Sequence, residues 1–283
     1  MLKSIYIMAY LTAAVAVTVM GVQGLLKGQP VMATAGVLLT SAPIVLFVGY
    51  MTAFSRTART RAILLPVLAL GLVGVGLAVT DYLRTGASER ELIISATMLA
   101  AYFLYDLWYA RLDRGGSQLR VGDDLPTFEL VDDKGARQLS ASFRGSPSVL
   151  IFYRGNWCPL CMAQVKEMAA SYNTLKDAGV RVVFISPQPA GHTKSLAKKF
   201  EAGMEFMRDE GNQAARSLGI VQGYGTPMGM QALGYDSDTV LPTVIITNAE
   251  GRVVWLHETD NYRVRPEPET YMQVLKANRL LPT

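Results

Sequence analysis

The sequence predicts a four-helix transmembrane bundle followed by a compact α/β domain, on three observations. First, the 283-residue chain is 50% hydrophobic and only 18% charged, with a mean hydropathy of +0.22. That is more apolar than one water-soluble domain and far from a disordered composition. Second, four apolar runs fill the first 110 residues, and short β-type runs alternating with helical ones follow. Third, the charge divides at the same place. Residues 1–114 hold nine Lys or Arg against five Asp or Glu, whereas residues 115–283 hold eighteen of each, so the net +4 belongs wholly to the first part. The expected domains are a transmembrane domain at 1–114, a linker at 115–120 and an α/β domain at 121–283. Cations spread over short loops between apolar runs do not make a nucleic-acid surface, and no nucleic-acid partner is expected.

The apolar runs are Ile5–Leu26, Val31–Phe54, Ala62–Leu83 and Leu92–Ala110, each 19–24 residues long, against the ~20 residues that cross a bilayer core as a helix. Within them only Asp81 and Asp106 are charged, both near a run's end, where a carboxylate reaches the interface or faces another helix. The first run is too long for a signal-peptide core and three more follow it, so it reads as a span. Tyr6, Tyr10, Tyr50, Tyr82, Trp108 and Tyr109 cluster at the ends as interfacial aromatics do. Gly71, Gly74 and Gly76 suit close helix approach. With the N-terminus inside, Lys3, Arg56, Arg59, Arg61, Arg111 and Arg114 lie on the inner side, and Lys27, Arg84 and Arg90 on the outer. The positive-inside rule then places the following domain in the cytoplasm, as in a multi-pass protein of a bacterial inner membrane. With no Cys or His in residues 1–114, this part offers no dithiol relay and no histidine ligand for haem. The helices read as an anchor in the lipid bilayer and a docking surface for a membrane-protein partner.

After Gly115-Gly116-Ser117, strands are expected near Thr127–Leu130, Ser148–Tyr153, Val180–Ser186, Glu205–Met207, Thr243–Thr247 and Val253–His257. Helices are expected near Pro159–Ala178, His192–Ala202, Asn212–Leu218 and Glu267–Ala277. The unbroken apolar runs 149–152 and 180–185 suit central strands covered on both faces. The last strand pair, split by Asn248-Ala249-Glu250-Gly251, reads as a hairpin.

The chemistry concentrates in Phe152-Tyr153-Arg154-Gly155-Asn156-Trp157-Cys158-Pro159-Leu160-Cys161, which holds the chain's two cysteines. They follow a core strand and open a helix, whose N-terminal N–H groups stabilise a thiolate. Pro159 fits the first helical turn. A spacing of three brings both sulfurs to one side of that turn, so one thiol can resolve a mixed disulfide formed by the other. Metal binding is not expected, because the two histidines, His192 and His257, lie elsewhere without ligand spacing. No cofactor is implied.

Gly122-Asp123-Asp124-Leu125-Pro126-Thr127-Phe128-Glu129-Leu130 and the cysteine block resemble the peroxiredoxin-like branch of the thioredoxin superfamily, the alkyl hydroperoxide reductase and thiol-specific antioxidant group. Met207-Arg208-Asp209-Glu210-Gly211-Asn212, Leu218-Gly219-Ile220, Leu241-Pro242-Thr243-Val244-Ile245-Ile246 and Tyr262-Arg263-Val264-Arg265-Pro266 extend the resemblance, which covers about residues 117–283. It implies a thioredoxin-like fold, with Pro242 in the cis form beside the dithiol. It also implies Trp157 flanking an exposed sulfur, for which core packing is the competing reading, and Arg154 stabilising a thiolate or oxyanion, for which a surface arginine competes.

The departures bear on activity. In the peroxiredoxin pattern of Pro, then Thr or Ser, then Cys, the peroxidatic cysteine aligns with Cys161, the Thr with Cys158 and the Pro with Arg154. The arginine expected before the late strand falls at Leu241. With those parts replaced, the leading expectation is a thiol-disulfide oxidoreductase in which Cys158 attacks and Cys161 resolves. It would reduce a disulfide-bearing protein with electrons from a thioredoxin- or glutathione-type donor. A hydroperoxide reductase passing through a sulfenic acid is the alternative, and a redox sensor or assembly factor acting through the membrane helices is a third. The glycine-rich stretch Val221–Val240 reads as a flexible insertion or a substrate-facing lip, and Asn261–Arg265 as a strand-to-helix connection.

Overall fold

The computed structural model describes residues 1–54, 57–200 and 203–281. Arg56 of the inner-loop count and Ala202, an expected helix end, lie outside them. The chain divides into two compact units. One holds residues 2–54 and 60–111, and the other holds, among the described residues, 1, 57–59, 112–200 and 203–281.

The first unit is four long apolar helices: α1 (Leu2–Leu26), α2 (Val31–Phe54), α3 (Leu65–Thr85) and α4 (Glu89–Leu104), the last prolonged by a π-helical turn over Tyr105–Tyr109. Pro66 sits in the first turn of α3, where its missing N–H costs nothing, and Gly86 ends that helix in the left-handed conformation. α4 starts three residues before the apolar run, taking Glu89 and Glu91 into its first turn, where carboxylates offset the positive helix end. Small residues line the helix contacts. A Cβ added at Gly36 of α2 would stand 2.6 Å from the Gly74 carbonyl of α3, and one at Gly71 would meet Leu99 at 2.9 Å, while Gly76 faces open space. Thr18 donates to Ser41 at 3.0 Å between α1 and α2. Asp81 is buried and accepts a hydrogen bond from the Ser88 hydroxyl.

The second unit is built on a seven-stranded sheet. Its strands are β1 (Glu129–Val131), β2 (Arg137–Leu139), β3 (Ser148–Phe152), β4 (Arg181–Ser186) and β5 (Glu205–Arg208), then, after a separate two-stranded ladder of β6 (Val221–Gln222) and β7 (Thr239–Val240), β8 (Thr243–Thr247) and β9 (Val253–Glu258). The order across the sheet is β2-β1-β5-β4-β3-β8-β9. β3, β4 and β5 run parallel, whereas β1 against β5, β8 against β3 and β9 against β8 are antiparallel. The helices are α5 (Pro159–Asp177), α6 (Ala190–Lys199), α7 (Gln213–Ser217) and α8 (Pro268–Ala277). This is a thioredoxin-like α/β arrangement.

All five residues of β3 are buried, as the unbroken apolar run requires. Leu150 and Phe152 join Leu130, Val183, Met207 and Ile245 in one core cluster. Elsewhere Phe184 stacks on Phe206 with ring centres 5.3 Å apart. Gly219 is required where it stands. Its φ is +68°, and a Cβ there would fall 1.8 Å from the Gly116 carbonyl oxygen, where backbone cannot yield.

Most sequence-derived elements appear with ends moved by one to three residues; β1, for example, runs Glu129–Val131 rather than from Thr127. The 221–240 stretch differs more. Its ends pair as β6 and β7, a 3-10 turn forms at Met230–Leu233, and Tyr235 is buried. It is folded structure, where a flexible insertion was one expectation.

Candidate active site

β3 delivers the chain to the site, and the Tyr153 N–H continues the pairing by donating to Ile185 O at 2.9 Å. The strand-to-helix turn then needs Gly155, at φ +141°, because a Cβ there would stand 2.8 Å from Trp157 Nε1. Cys158 caps α5, its Sγ accepting the Cys161 N–H at 3.4 Å, and Pro159 occupies the first helical position. Both cysteines are free thiols, 3% and 0% exposed. The exposed sulfur expected from the sequence is therefore corrected. As the cap of α5, Cys158 turns its sulfur inward toward the Cys161 N–H.

Two buried guanidinium groups face the pair. Arg265 donates to Cys161 Sγ at 3.4 Å through Nη2 and to Gln164 Oε1 at 2.7 Å through Nη1. Gln164 in turn donates to the Tyr271 hydroxyl at 3.0 Å. Arg154 donates to Gly225 O at 2.5 Å, with its guanidinium carbon 4.8 Å from the Trp157 ring centre and 5.4 Å from that of Tyr262. The Thr239 hydroxyl holds the Arg154 carbonyl at 2.8 Å. The surface-arginine reading of Arg154 thus gives way to a buried one, 3% exposed.

These groups split the two thiols electrostatically. Burial alone raises a thiol pKa. At Cys161 that is outweighed by a hydrogen bond from the Cys158 thiol, the Arg265 charge, an N–H of Arg154 and the Arg154 charge, and the pKa falls to about 5. At Cys158 burial, the hydrogen bond to Cys161 and the Cys161 charge push the pKa well up against both arginines. These contacts favour the thiolate on Cys161 and the proton on Cys158. The sequence reading assigned first attack to Cys158, but here the thiolate-stabilising contacts gather on Cys161.

Pro242 shares a cavity of about 10 Å³ with Arg265, Gln164 and His257, too small for more than about one water. The Leu241–Pro242 bond is trans, in place of the cis form expected. Leu241 N–H donates to Ile220 O at 2.8 Å, and Pro242 O accepts from Arg114 Nη2 at 2.5 Å. These bonds hold the backbone extended between β7 and β8, which the intrinsically preferred trans bond supplies. Leu241 itself belongs to the core cluster. The cation missing from that position comes instead from Arg265, in the connection to which the sequence reading gave no separate role. Its sequence signal is its place in the Tyr262-Arg263-Val264-Arg265-Pro266 motif, just before a helix.

A profile described as the AhpC/TSA family matches residues 121–256. A chloroplastic peroxiredoxin Q of Sedum lineare is 32% identical over 129 residues, covering 45% of this chain and 69% of that protein. The chain belongs to the peroxiredoxin family. The peroxiredoxin Q of Triticum aestivum is 33% identical over 117 residues, 41% of this chain and 54% of that protein. The chain thus spans between about half and two thirds of the length of these curated relatives. Among solved structures, reduced Prx3 of Vibrio vulnificus in complex with hydrogen peroxide aligns over 56% of this chain and 99% of its own, with a TM-score of 0.49 and 18% identity. Peroxidoxin BcpB of Mycobacterium tuberculosis aligns over 59% and 100%, with a TM-score of 0.47 and 18% identity. In this peroxiredoxin domain Trp157 packs against the Arg154 guanidinium, and Arg265, bonded to Gln164 of α5, reaches the cysteine motif from outside that helix.

Proposed function

We propose that the chain is a membrane-anchored hydroperoxide reductase in which Cys161 is the attacking thiolate and Cys158 the resolving thiol. The observation that carries this reading is the convergence of Arg265, Arg154 and the Cys158 thiol on the buried Cys161 sulfur. The thiolate attacks one peroxide oxygen, the O–O bond breaks, and a sulfenate forms while the alcohol or water leaves with a proton. Cys158 then attacks the sulfenic sulfur, the S–S bond forms and water leaves. A thioredoxin- or glutathione-type dithiol returns the two electrons. Burial favours a small oxidant, since a protein disulfide must bring a bulky segment in line with a sulfur that is 0% exposed.

The Cys-x-x-Cys capping arrangement supports disulfide reduction as the second reading. Stopped-flow oxidation of the reduced chain separates the two. Hydrogen peroxide is expected to react at least about 10³-fold faster than with a free thiol. A free-thiol rate beside rapid reduction of a protein disulfide would establish the second reading instead.

Membrane anchoring is supported by an inside-out distribution in the helical unit. Leu46 and Val73 are 70% and 55% exposed, while the buried positions of α1 and α2 include Ser4, Ala14, Gly21, Gly24, Ala33, Thr34, Gly36, Thr40 and Ser41, as suits a lipid solvent. The helices anchor the domain on the cytoplasmic side of a bacterial inner membrane, across residues 1–114, a 115–120 linker and the 121–283 domain. Reporter fusions at the C-terminus test the side: green fluorescence without alkaline phosphatase activity is expected, and the reverse pattern would place the domain outside.

A further inference from the structure

We infer that Arg59 is a positioning residue that fixes the Arg265 guanidinium against the Cys161 sulfur. The inference rests on the reading of Cys161 as the reacting thiolate and adds a control on it from outside the family-matched stretch 121–256.

Arg265 lies in the connection between β9 and α8, outside any helix or strand, so side-chain contacts must fix its place. On its inner side it grips Gln164 of α5, which is tied to Tyr271 of α8. On the outer side the brace is Arg59. Its Nη2 donates to Glu167 Oε2 at 2.5 Å and to the Pro266 carbonyl at 3.4 Å, and its Nη1 lies 3.7 Å from Glu267 Oε1. The Ala58 N–H donates to the other Glu167 oxygen at 3.0 Å.

One guanidinium thereby joins three elements. Glu167 stands on α5 three residues beyond Gln164 and so on the same helix face. Pro266 is the residue after Arg265. Glu267 precedes the first residue of α8. Without Arg59, Glu167 and Glu267 lose the cation between them, and the remaining like charges favour separation of the connection from α5. Separation draws Arg265 away from Cys161, whose other charged or titratable neighbours are Cys158, Arg154 and Tyr153. Residues 57–59 belong to the redox unit in space although they stand between α2 and α3 in the sequence. The thiol's reactivity therefore depends on a segment that the redox domain's own stretch does not contain.

The test is titration of thiolate absorbance at 240 nm on the purified full-length chain. The unmodified chain is expected to show one thiolate forming near pH 5. Arg59→Ala is expected to raise that midpoint by about one pH unit, with a parallel loss of peroxide reaction rate at pH 6. Arg59→Lys keeps the charge but cannot fork between Glu167 and Pro266, and gives a smaller rise. A folded Arg59→Ala chain with an unchanged midpoint overturns the role. Should Arg59→Ala not fold, an unchanged midpoint in both Arg59→Lys and Glu167→Ala overturns it equally. Absence of any low midpoint in the unmodified chain would instead refute the assignment of Cys161 as the thiolate.

Discussion

Cys161→Ser lowers peroxide consumption by about 10³-fold or more, the scale on which loss of an activated nucleophile is felt, whereas Cys158→Ser retains a single turnover. The asymmetry follows from the cap geometry. A serine at 158 can still accept the Cys161 N–H and donate to the Cys161 sulfur, so the thiolate and its contact with Arg265 persist. With no second thiol the sulfenic acid accumulates. Dimedone labelling of Cys161 with one equivalent of peroxide consumed is the expected record. A serine at 161 removes the anion instead, leaving the buried Arg265 facing a neutral hydroxyl, and about 1–3 kcal/mol of stability goes with it, measurable by thermal unfolding. If Cys158→Ser were the inactive variant and Cys161→Ser kept one turnover, the order of attack assigned from the sequence would stand.

Why the sequence suggested that order, and how much else it could tell, comes down to which contacts are local. The four apolar helices were legible because lipid-length runs need no partner to be recognised, and β3, β4 and α5 because unbroken apolar runs and a proline-started helix are signals within a few residues. β2, β6 and β7 are two or three residues long, shorter than any periodicity can register, and only their pairing defines them. The cysteine motif was legible as a dithiol at a helix start, but the division of labour inside it was not. Helix position alone favours the first cysteine, whereas Arg265 reaches Cys161 across 104 residues of sequence. Burial was hidden for the same reason, since the Gly225 and Thr239 contacts on Arg154 come from a segment some 70–85 residues away. The Leu241 departure looked like a missing part until the fold supplied a cation from another element.

Because Arg265 brings to Cys161 the cation that Leu241 does not, Arg265→Met is the sharpest test of the electrostatics. In the native chain the Cys161 pKa stands at about 5, so the thiolate population, and with it the peroxide rate, stays flat between pH 6 and 8 and falls only as pH drops through 5. Methionine keeps the volume and removes the charge and the Nη2 donor. Burial, the largest single influence on Cys161, is then less opposed, and the thiol returns toward the ordinary value of about 8.5. The rate in Arg265→Met is expected to climb nearly tenfold per pH unit between 6 and 8 instead of staying level. Stability moves with the same protons. A thiol lowered on folding binds fewer protons native than unfolded, so it stabilises the chain above about pH 8.5, and that contribution is lost as pH falls toward 5. Cys158 is pushed the other way and keeps its proton across this window. The native chain should therefore gain thermal stability from pH 5 to 8 by a component that Arg265→Met lacks. A flat rate profile in Arg265→Met would mean that Arg154 and the Cys158 thiol suffice, and that Arg265 does not hold the thiolate.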